Sequence, residues 1–441
     1  MKVVHGDHGA GPVGESSADW SSPSEARVAY WALFVVTAVY ALNIADRYVL
    51  STLIEPIRAE FQLSDSALGL VTGVGMAIFY VTAGIPLGML ADRVNRKKMI
   101  AWALAAWSVM TAACGLSQTF VQLLIARMGV GVGEAGGTPP SQSLLADYFP
   151  PRRRLVATSI FAIGVPIGSA VGGIAAGIIA EAHGWRMAML AAAAAGLPIF
   201  LLLLTLREPK RGRYDAAPAV APETPPPSLR ETLHFIRSRK AVFHVFAGGT
   251  VATFSGMGLI WWTPAFLARS HGLSVAEAGI EVGLMNGVGG GIALAASALL
   301  MIWLARKPVA WQCYFTALIT GLITIPALLA HWVQDRELAL LSLWFFIPLA
   351  NVYIGPCFAL IHNLVRPQMR AASVAILLFT ANVANLIVAP QGIGSLSDLI
   401  RPHIGNPEES LRLALLISAL TGIWGAYHFI RAGREIGKGK G

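Results

Sequence analysis

Twelve separate stretches of about 20 mainly apolar residues occur along this chain of 441 residues, and each is long enough to cross the hydrocarbon core of a membrane as an α-helix. Charged residues make up 13% of the chain, about half their share in a typical soluble protein. Because a water-soluble fold could not bury so much apolar surface, we predict an all-α membrane protein. The predicted helices lie near residues 28–51, 66–90, 97–117, 119–147, 154–181, 185–206, 241–268, 276–305, 308–331, 337–364, 370–397 and 410–431.

A polar stretch between the sixth and seventh predicted helices divides the chain into two halves of six helices each. Within this stretch, Leu229, Leu233 and Ile236 fall on one helical face, which predicts a short amphipathic helix lying on the membrane surface. The predicted segments are a disordered cytoplasmic tail over 1–27, an N-terminal half over 28–206, a cytoplasmic linker over 207–240, a C-terminal half over 241–431 and a cytoplasmic tail over 432–441.

The positions of the 33 lysine and arginine residues indicate the topology. With the N-terminus placed inside, 25 of them fall in the tails, linker and loops of that side, and six fall in loops of the other side. Positive residues concentrate on the cytoplasmic side of membrane proteins. We therefore predict cytoplasmic termini and a location in the cytoplasmic (inner) membrane. The net charge of +9 is then a topology signal, and we predict no nucleic-acid partner.

The turn between the second and third predicted helices contains a motif that begins at Gly88 and ends in three basic residues. Gly88 permits close backbone approach, and Asp92 can pair with a helix terminus or an arginine. This segment resembles the cytoplasmic signature of the major facilitator superfamily, with Asn95 where that family usually has glycine. Asparagine tolerates the left-handed conformation that glycine adopts. We predict a breakable conformational latch formed by Gly88, Asp92, Arg93, Arg96 and Lys97.

Two further glycine-rich stretches resemble motifs of the same superfamily. The fourth predicted helix contains Gly131-x-Gly133-x-x-Gly136, which would bind a dinucleotide only after a β-strand, and here it lies inside a membrane span. The fifth contains Gly164-Val-Pro166-Ile-Gly168, whose small residues favour close packing of sliding helices. The resemblance implies two six-helix halves of the major facilitator fold. Each half would consist of inverted three-helix repeats that rock to give alternating access.

Three short stretches narrow the resemblance to the Spinster subfamily, as in a bacterial homologue. They are Asn43-Ile-Ala-Asp46-Arg47-Tyr48, the Gly-Glu134-Ala-Gly-Gly segment, and the run from Pro390 to Asp398. This resemblance implies transport of lysophospholipids or sphingosine-type lipids, with proton coupling in at least some members.

Four charged residues lie well inside the predicted helices, namely Asp46, Arg47, Arg127 and Glu134. A charge at that depth costs roughly 2.5–3.5 kcal/mol on insertion scales, so it serves a function or is paired. Asp46 and Arg127 lie at similar depth, which predicts an ion pair between them. Arg127 and Glu134 are two helical turns apart and share a face. Arg47 points about 100° away from Asp46 and is predicted to extend to the outer interface in a structural or gating role.

These charges suggest a mechanism. A low dielectric favours the protonated form of a carboxyl group, so we predict that Glu134 is the principal proton carrier and Asp46 a second one. Arg127 is predicted to bind a substrate phosphate or to release protons by competing for the carboxylates. A purely structural pair of Asp46 and Arg127 is the alternative.

The C-terminal half contains amides and aromatic rings in place of charges. Asn382 and Phe379 are the residues that we predict to bind substrate there, together with Arg127, Glu134 and Asp46 of the other half. A charged head and an acyl tail would suit a cavity with one charged and one apolar wall. Trp261 and Trp262 are predicted to lie at the outer membrane interface as anchors. The other candidates are Asn286, Asn351, His362, Asn385 and Phe254.

We therefore predict a secondary transporter that moves a lysophospholipid or sphingoid-type lipid with protons as the coupling ion. A drug or organic-anion transporter of the same superfamily is the alternative, and a non-transporting membrane receptor or an ion channel represents a different class. We predict no enzyme activity, because no nucleophile–base pair or metal cluster stands out. The predicted partners are the bilayer and an amphiphilic substrate, with no cofactor and a monomeric chain.

Overall fold

The computed structural model describes residues 20, 22–214 and 227–439, and all regular secondary structure within them is helical. Most of the predicted tail over 1–27 lies outside these residues, although the first helix already begins at Pro23. Eleven of the described helices are long and apolar enough to cross a membrane. The remaining span, over 120–148, is divided at Gly136 and Gly137. The prediction of twelve membrane helices in two halves is confirmed.

The membrane helices are labelled α1 to α12 in chain order. Those of the first half are α1 (Pro23–Thr52), α2 (Asp65–Ala91), α3 (Arg96–Gly115), α4 (Phe120–Ala135 with Thr138–Tyr148), α5 (Pro151–His183) and α6 (Trp185–Thr205). Those of the second half are α7 (Lys240–Ile260), α8 (Val275–Leu304), α9 (Val309–Trp332), α10 (Arg336–Leu364), α11 (Pro367–His403) and α12 (Pro407–Gly437). Short helices also cover Ile54–Phe61, Leu229–Ser238 in the linker and Thr263–His271.

Side chains that accept hydrogen bonds from free backbone N–H groups fix where several helices begin. Ser228 begins the linker helix and Ser274 begins α8, and each also donates its backbone N–H to a glutamate three residues later. Asn95 performs this role for α3, because its side chain accepts from the N–H of Lys98 at 2.8 Å. Its φ of −66° shows that the left-handed conformation expected at this position is wrong. Asparagine serves here as a helix cap.

The two halves pack against each other along two seams. We call the side of the membrane that holds the linker the linker face, and the other side the far face. In one seam α5 contacts α8, where a Cβ atom on Gly279 would lie 2.5 Å from the carbonyl oxygen of Gly173. In the other seam α2 contacts α11, where a Cβ atom on Gly73 would lie 2.6 Å from the carbonyl oxygen of Leu386. Only glycine permits such close approach of two backbones.

Both seams lie toward the far face and open toward the linker face. A Cβ atom on Gly84 or Gly88, farther along α2, would meet no atom within 4 Å. One π-helical turn interrupts each of three seam helices, at Leu70–Val74, Met285–Gly289 and Val383–Val388. Such turns insert one residue into a helix and often mark functional sites. The halves are therefore in contact at the far face and separated toward the linker face.

A buried polar cluster adds to the closure of the far face. The carboxylate of Asp65, at the start of α2, is fully buried and forms ion pairs with Arg269 at 2.8 Å and Arg401 at 3.1 Å. The hydroxyl of Ser397 donates to the same carboxylate at 2.6 Å. Asp398 accepts hydrogen bonds from the backbone N–H groups of Asp65 and Ser66 at 3.0 and 2.8 Å. One acid of the first half thus binds several groups of the second half.

The two glycines of α2 provide a matched test of the seam. Gly73→Ala places a methyl group against the α11 backbone and should destabilise the closed far face by about 1–3 kcal/mol, as overpacking does. Gly84→Ala meets open space and should be neutral or stabilising by up to about 1 kcal/mol. Thermal unfolding midpoints of the detergent-purified proteins measure both effects. Equal midpoints for the two variants would contradict the packing described for this seam.

The Asp65 cluster is tested by Asp65→Asn. Removal of this charge takes away the anion that two arginines share, although Arg269 keeps an ion pair with Glu55 at 2.6 Å. The cost should therefore not exceed about 3–5 kcal/mol, the cost of breaking a buried pair. Spin labels at Gln62 and Gly405, which are exposed on the far face in opposite halves, should then show longer and broader distances. Asp335→Asn, an exposed N-cap of α10 on the same face, is the control and should leave the distances unchanged. An unchanged distribution in Asp65→Asn would show that the seams alone close this face.

Candidate functional site

A cavity of about 420 Å³ lies between the two halves. Residues of α1 and α5 line one wall, and residues of α7, α8, α10 and α11 line the other. Its lining includes the four predicted asparagines Asn286, Asn351, Asn382 and Asn385. Phe379 is 54% exposed and is not part of this lining, and the same holds for the exposed His362. Asn382 therefore faces the cavity, whereas Phe379 lies one turn away with its side chain directed elsewhere.

The charged centre of the site is an ion pair between Arg47 of α1 and Glu134 of α4. The Nη2 and Nε atoms of Arg47 lie 2.8 and 2.9 Å from Glu134 Oε2. Glu134 is fully buried, whereas the Arg47 side chain is 14% exposed and lines the cavity. The guanidinium also lies 5.0 Å from the centre of the Tyr80 ring. The prediction that Arg47 extends to the outer interface is wrong, because α4 offers it a buried carboxylate.

The predicted ion pair of Asp46 and Arg127 is absent from the described residues. Asp46 Oδ2 instead accepts a hydrogen bond from the hydroxyl of Thr111 at 2.8 Å. An Arg127 nitrogen contacts the sulfur of Met76 at 3.4 Å, and sulfur is a weak acceptor. The pair was predicted only because both residues lie at similar depth in the membrane. Depth in the membrane does not determine which way a side chain points around its helix.

Three polar atoms of this site lack a hydrogen-bond partner within the described part of the chain, namely Asp46 Oδ1, Arg127 Nε and Glu134 Oε1. Buried polar groups are normally paired, and exceptions often occur where a group must change partners. Arg47 and Arg127 also line a second, smaller cavity next to the first, beside Met76. Two acids and two arginines are thus close together, but only one ion pair forms.

Glycines of α4 explain how its charged residues come to face the interior. A Cβ atom on Gly131 would lie 2.3 Å from the carbonyl oxygen of Met76 in α2. A Cβ atom on Gly133 would lie 2.8 Å from the backbone nitrogen of Trp107 in α3. These contacts hold α4 tightly against α2 and α3. The glycine pattern that resembles a nucleotide motif therefore serves helix packing and positions Glu134.

Trp261 lines the smaller cavity and contacts Tyr48 and Asn385, two residues that line the larger one. Its indole N–H donates to Asn385 Oδ1 at 2.8 Å, and its carbonyl oxygen accepts from Ser51 of α1 at 2.7 Å. The hydroxyl of Tyr48 donates to Asn286 Oδ1 at 3.2 Å beside it. The predicted interfacial anchoring of Trp261 is wrong, and the adjacent Trp262 is fully buried. The reason is a break in the helix after Ile260, which the helical period did not anticipate.

The predicted latch residues separate into two groups. Asp92 and Arg93 are exposed, and no ion pair is found for either one in the described chain. Arg96 is buried and forms ion pairs with Asp147 and, at 2.8 Å, with Glu208. The backbone N–H of Lys97 also donates to Glu208, at 3.0 Å.

Arg96 and Lys97 thus join the turn after α2 to the ends of α4 and α6 within the first half. Asp147 and Glu208, the acids that bind Arg96, were missed because each lies in an ordinary charged segment of the sequence. The breakable conformational latch stays a prediction for Gly88, Asp92 and Arg93.

A double-mutant cycle tests which residues are paired. Arg47→Gln and Glu134→Gln should each lower the thermal unfolding midpoint, and the double variant should lose less than the sum. We expect a coupling of about 1–3 kcal/mol between them, as for residues in direct contact. The same cycle for Asp46→Asn and Arg127→Gln serves as the control and should give a smaller coupling. A larger coupling for the control pair would contradict the geometry described above.

Comparisons with known proteins identify the family of this chain. Residues 36–389 match the model of the Major Facilitator Superfamily. An MFS-type efflux pump of Mycolicibacterium smegmatis is 32% identical over 397 residues, which are 89% of this chain and 90% of the pump. A sphingosine-1-phosphate transporter of Danio rerio is 31% identical over 234 residues, which are 52% of this chain and 46% of that protein. This second similarity therefore spans about half of each protein.

A solved structure is similar over nearly the whole chain. It is a bacterial homologue of the human lysosomal transporter Spinster in an inward-facing and unoccupied conformation, with a TM-score of 0.82 and 27% sequence identity. The similarity covers 95% of this chain and 99% of that one. Together with the twelve helices and the cavity between their halves, these findings show that the chain is an integral membrane protein and belongs to the major facilitator superfamily of transporters.

Proposed function

We propose that this protein is a proton-coupled transporter of a lysophospholipid or sphingoid-type lipid that works by alternating access. The ion pair of Arg47 and Glu134 carries this proposal, because it joins a buried carboxylate to a cation that faces the cavity between the halves. The similarity to the Spinster homologue and to a sphingosine-1-phosphate transporter supports the lipid class. The basic residues of the linker side support a cytoplasmic linker face in the cytoplasmic membrane.

Looser packing of α5 against α8 toward the linker face supports an amphiphilic substrate. Helices α5 and α8 are in close contact at Gly287, where an added Cβ atom would lie 2.4 Å from the Ala170 side chain. Toward the linker face, a Cβ atom on Gly291 would lie 4.0 Å from the Pro166 side chain. Pro166 of α5 and Ala293 of α8 line the cavity on either side of this looser gap. Large apolar side chains are exposed along its lipid-facing edge, and they are Ile163, Ile167, Val288 and Ile292. An acyl chain could extend through this gap while its head group stays near Arg47.

The ion pair provides a mechanism for coupling. Protonation of Glu134 removes the anion that binds Arg47, and an anionic head group in the cavity can then take its place. Binding of a proton and binding of an anionic substrate therefore favour each other, and this linkage is reciprocal. Asp46 would act as a second proton carrier beside this pair. Arg127 would hold a positive charge next to both acids and promote release of their protons.

A drug transporter is the second candidate, and the similarity to an efflux pump over most of both chains favours it. A cationic drug would compete with Arg47 for the carboxylate of Glu134. Proton and drug would then exclude each other at one group, so they would be exchanged in opposite directions. The sign of the coupling therefore distinguishes the two candidates.

Transport into proteoliposomes with and without an imposed pH gradient tests the proposal. The native protein should move a fluorescent lysophospholipid in the direction of proton flow. Glu134→Gln should lower the gradient-driven rate by about 5- to 150-fold, the range of typical coupling free energies. Glu337→Gln, an exposed acid at the start of α10, should keep the native response.

Two other results would contradict the proposal, one for the role of Glu134 and one for the lipid substrate. Equal lipid transport by the native protein and Glu134→Gln, independent of the gradient, would show that Glu134 is structural. No lipid transport, combined with movement of a cationic dye against the proton flow in the same vesicles, would favour the drug transporter.

A further inference from the structure

Two histidines contact each other far from the transport site. The Nδ1 atoms of His244 in α7 and His428 in α12 are 2.8 Å apart. His244 follows the first residue of α7 by one helical turn, so the pair lies close to the linker face. Neither side chain lines the cavity described above. The proposed transport mechanism therefore leaves this pair without a role.

The pair presents a buried polar atom without a partner. A hydrogen bond between two Nδ1 atoms requires that one ring donates its proton and the other accepts it. The accepting neutral ring then carries its own proton on Nε2, which makes that atom a donor. His428 is only 8% exposed, and no partner of its Nε2 atom is found in the described chain. With His428 as the accepting ring, that atom is a buried donor. A buried donor of this kind favours an acceptor brought by a ligand.

Positive charge surrounds the histidines. Arg431 lies one turn after His428 on α12, and Lys240 lies one turn before His244 on α7. Both cations are within electrostatic range of His244. A guanidinium N–H of Arg431 donates to the hydroxyl of Tyr427 at 2.9 Å. The acid within that same range of His244 is Glu435, which already pairs with Lys438 at 3.6 Å. The cluster therefore has more cations than anions.

Exposed aromatic rings show that the cluster lies at the boundary of the membrane. The rings of Trp424 and Tyr427 contact His428 with centroid distances of 5.6 and 5.7 Å. Phe243 contacts His244 at 5.7 Å. All three aromatic side chains are exposed on the outer surface of the second half. Amphipathic aromatic rings favour the level of lipid head groups, with acyl chains on one side and charged groups on the other.

We propose that Lys240, His244, His428 and Arg431 form a binding site for the phosphate of an anionic membrane lipid, here called the α7–α12 site. Arginine and lysine would hold the phosphate oxygens, and a histidine Nε2–H would donate a further hydrogen bond. The lipid chains would lie along the exposed aromatic rings. The two helices pack tightly here, since a Cβ atom on Gly248 would lie 3.1 Å from the Phe429 ring. A bound lipid would thus join α7 to α12 without entering the transport cavity.

Native mass spectrometry of the full chain tests this site. The detergent-solubilised protein should bind phosphatidylglycerol more tightly than phosphatidylcholine of the same chain length. Arg431→Gln should weaken phosphatidylglycerol binding about fivefold, the effect of one basic residue near an anionic lipid. The exposed Arg434→Gln, one turn farther along α12, is the control and should bind like the native protein. His428→Asn should also weaken binding.

Three results would overturn the proposal. Native affinity in Arg431→Gln would exclude the site, and this variant changes a partly exposed side chain that the fold does not require. An equal loss in Arg434→Gln would show general attraction to basic residues. Inorganic phosphate that raises the thermal stability of the delipidated native protein, and not of Arg431→Gln, would assign the site to a free anion.

Discussion

The ion pair of Arg47 and Glu134 is the interaction on which the rest of the site depends. Each charge alone would be expensive at membrane depth, so each requires the other or a replacement of the same sign. Glu134 is inaccessible, whereas Arg47 faces the cavity. In the mechanism that we propose, a proton acts on the buried partner and a substrate on the accessible one. The pair can thus relate occupancy of the cavity to protonation without direct contact between substrate and acid.

The same helix connects this pair to the closure of the far face. Ser51 of α1 lies one turn beyond Arg47 and donates to the carbonyl oxygen of Trp261, and all three residues line the smaller cavity. Tyr48, the residue after Arg47, binds Asn286 within the π-helical turn of α8. A movement of α1 at Arg47 would therefore affect Trp261 through Ser51, and α8 through Tyr48. Such contiguous contacts are the physical route by which one site biases a conformational equilibrium.

Two kinds of contact hold the halves together, namely close packing at glycines and ion pairs of buried charges. The two glycine seams require no particular side-chain chemistry, so two helices can separate there without leaving buried charges behind. The Asp65 cluster is different, because its separation exposes one carboxylate and two arginines to water that must solvate them. In the alternating-access cycle that we propose, the far face opens to water, and water would then solvate these separated charges. The arrangement would therefore suit reversible opening of this face.

The sequence by itself determined the number of helices, their division into halves and the identity of the four membrane charges. Length and apolarity fix these features, because a bilayer tolerates no other backbone arrangement of such segments. The sequence also predicted which asparagines face the cavity, since amides are rare in spans unless they face the interior.

Only the tertiary structure decided how the charges pair. Asp46 and Arg47 are neighbours in the chain, and the rotation of α1 against α4 determines which one meets Glu134. That rotation depends on contacts such as Gly131 with Met76 and Gly133 with Trp107, which hold α4 against α2 and α3. Likewise, the break after Ile260 turned Trp261 inward, against its expected place at the membrane surface. Depth follows from position in the chain, but direction around a helix follows from packing.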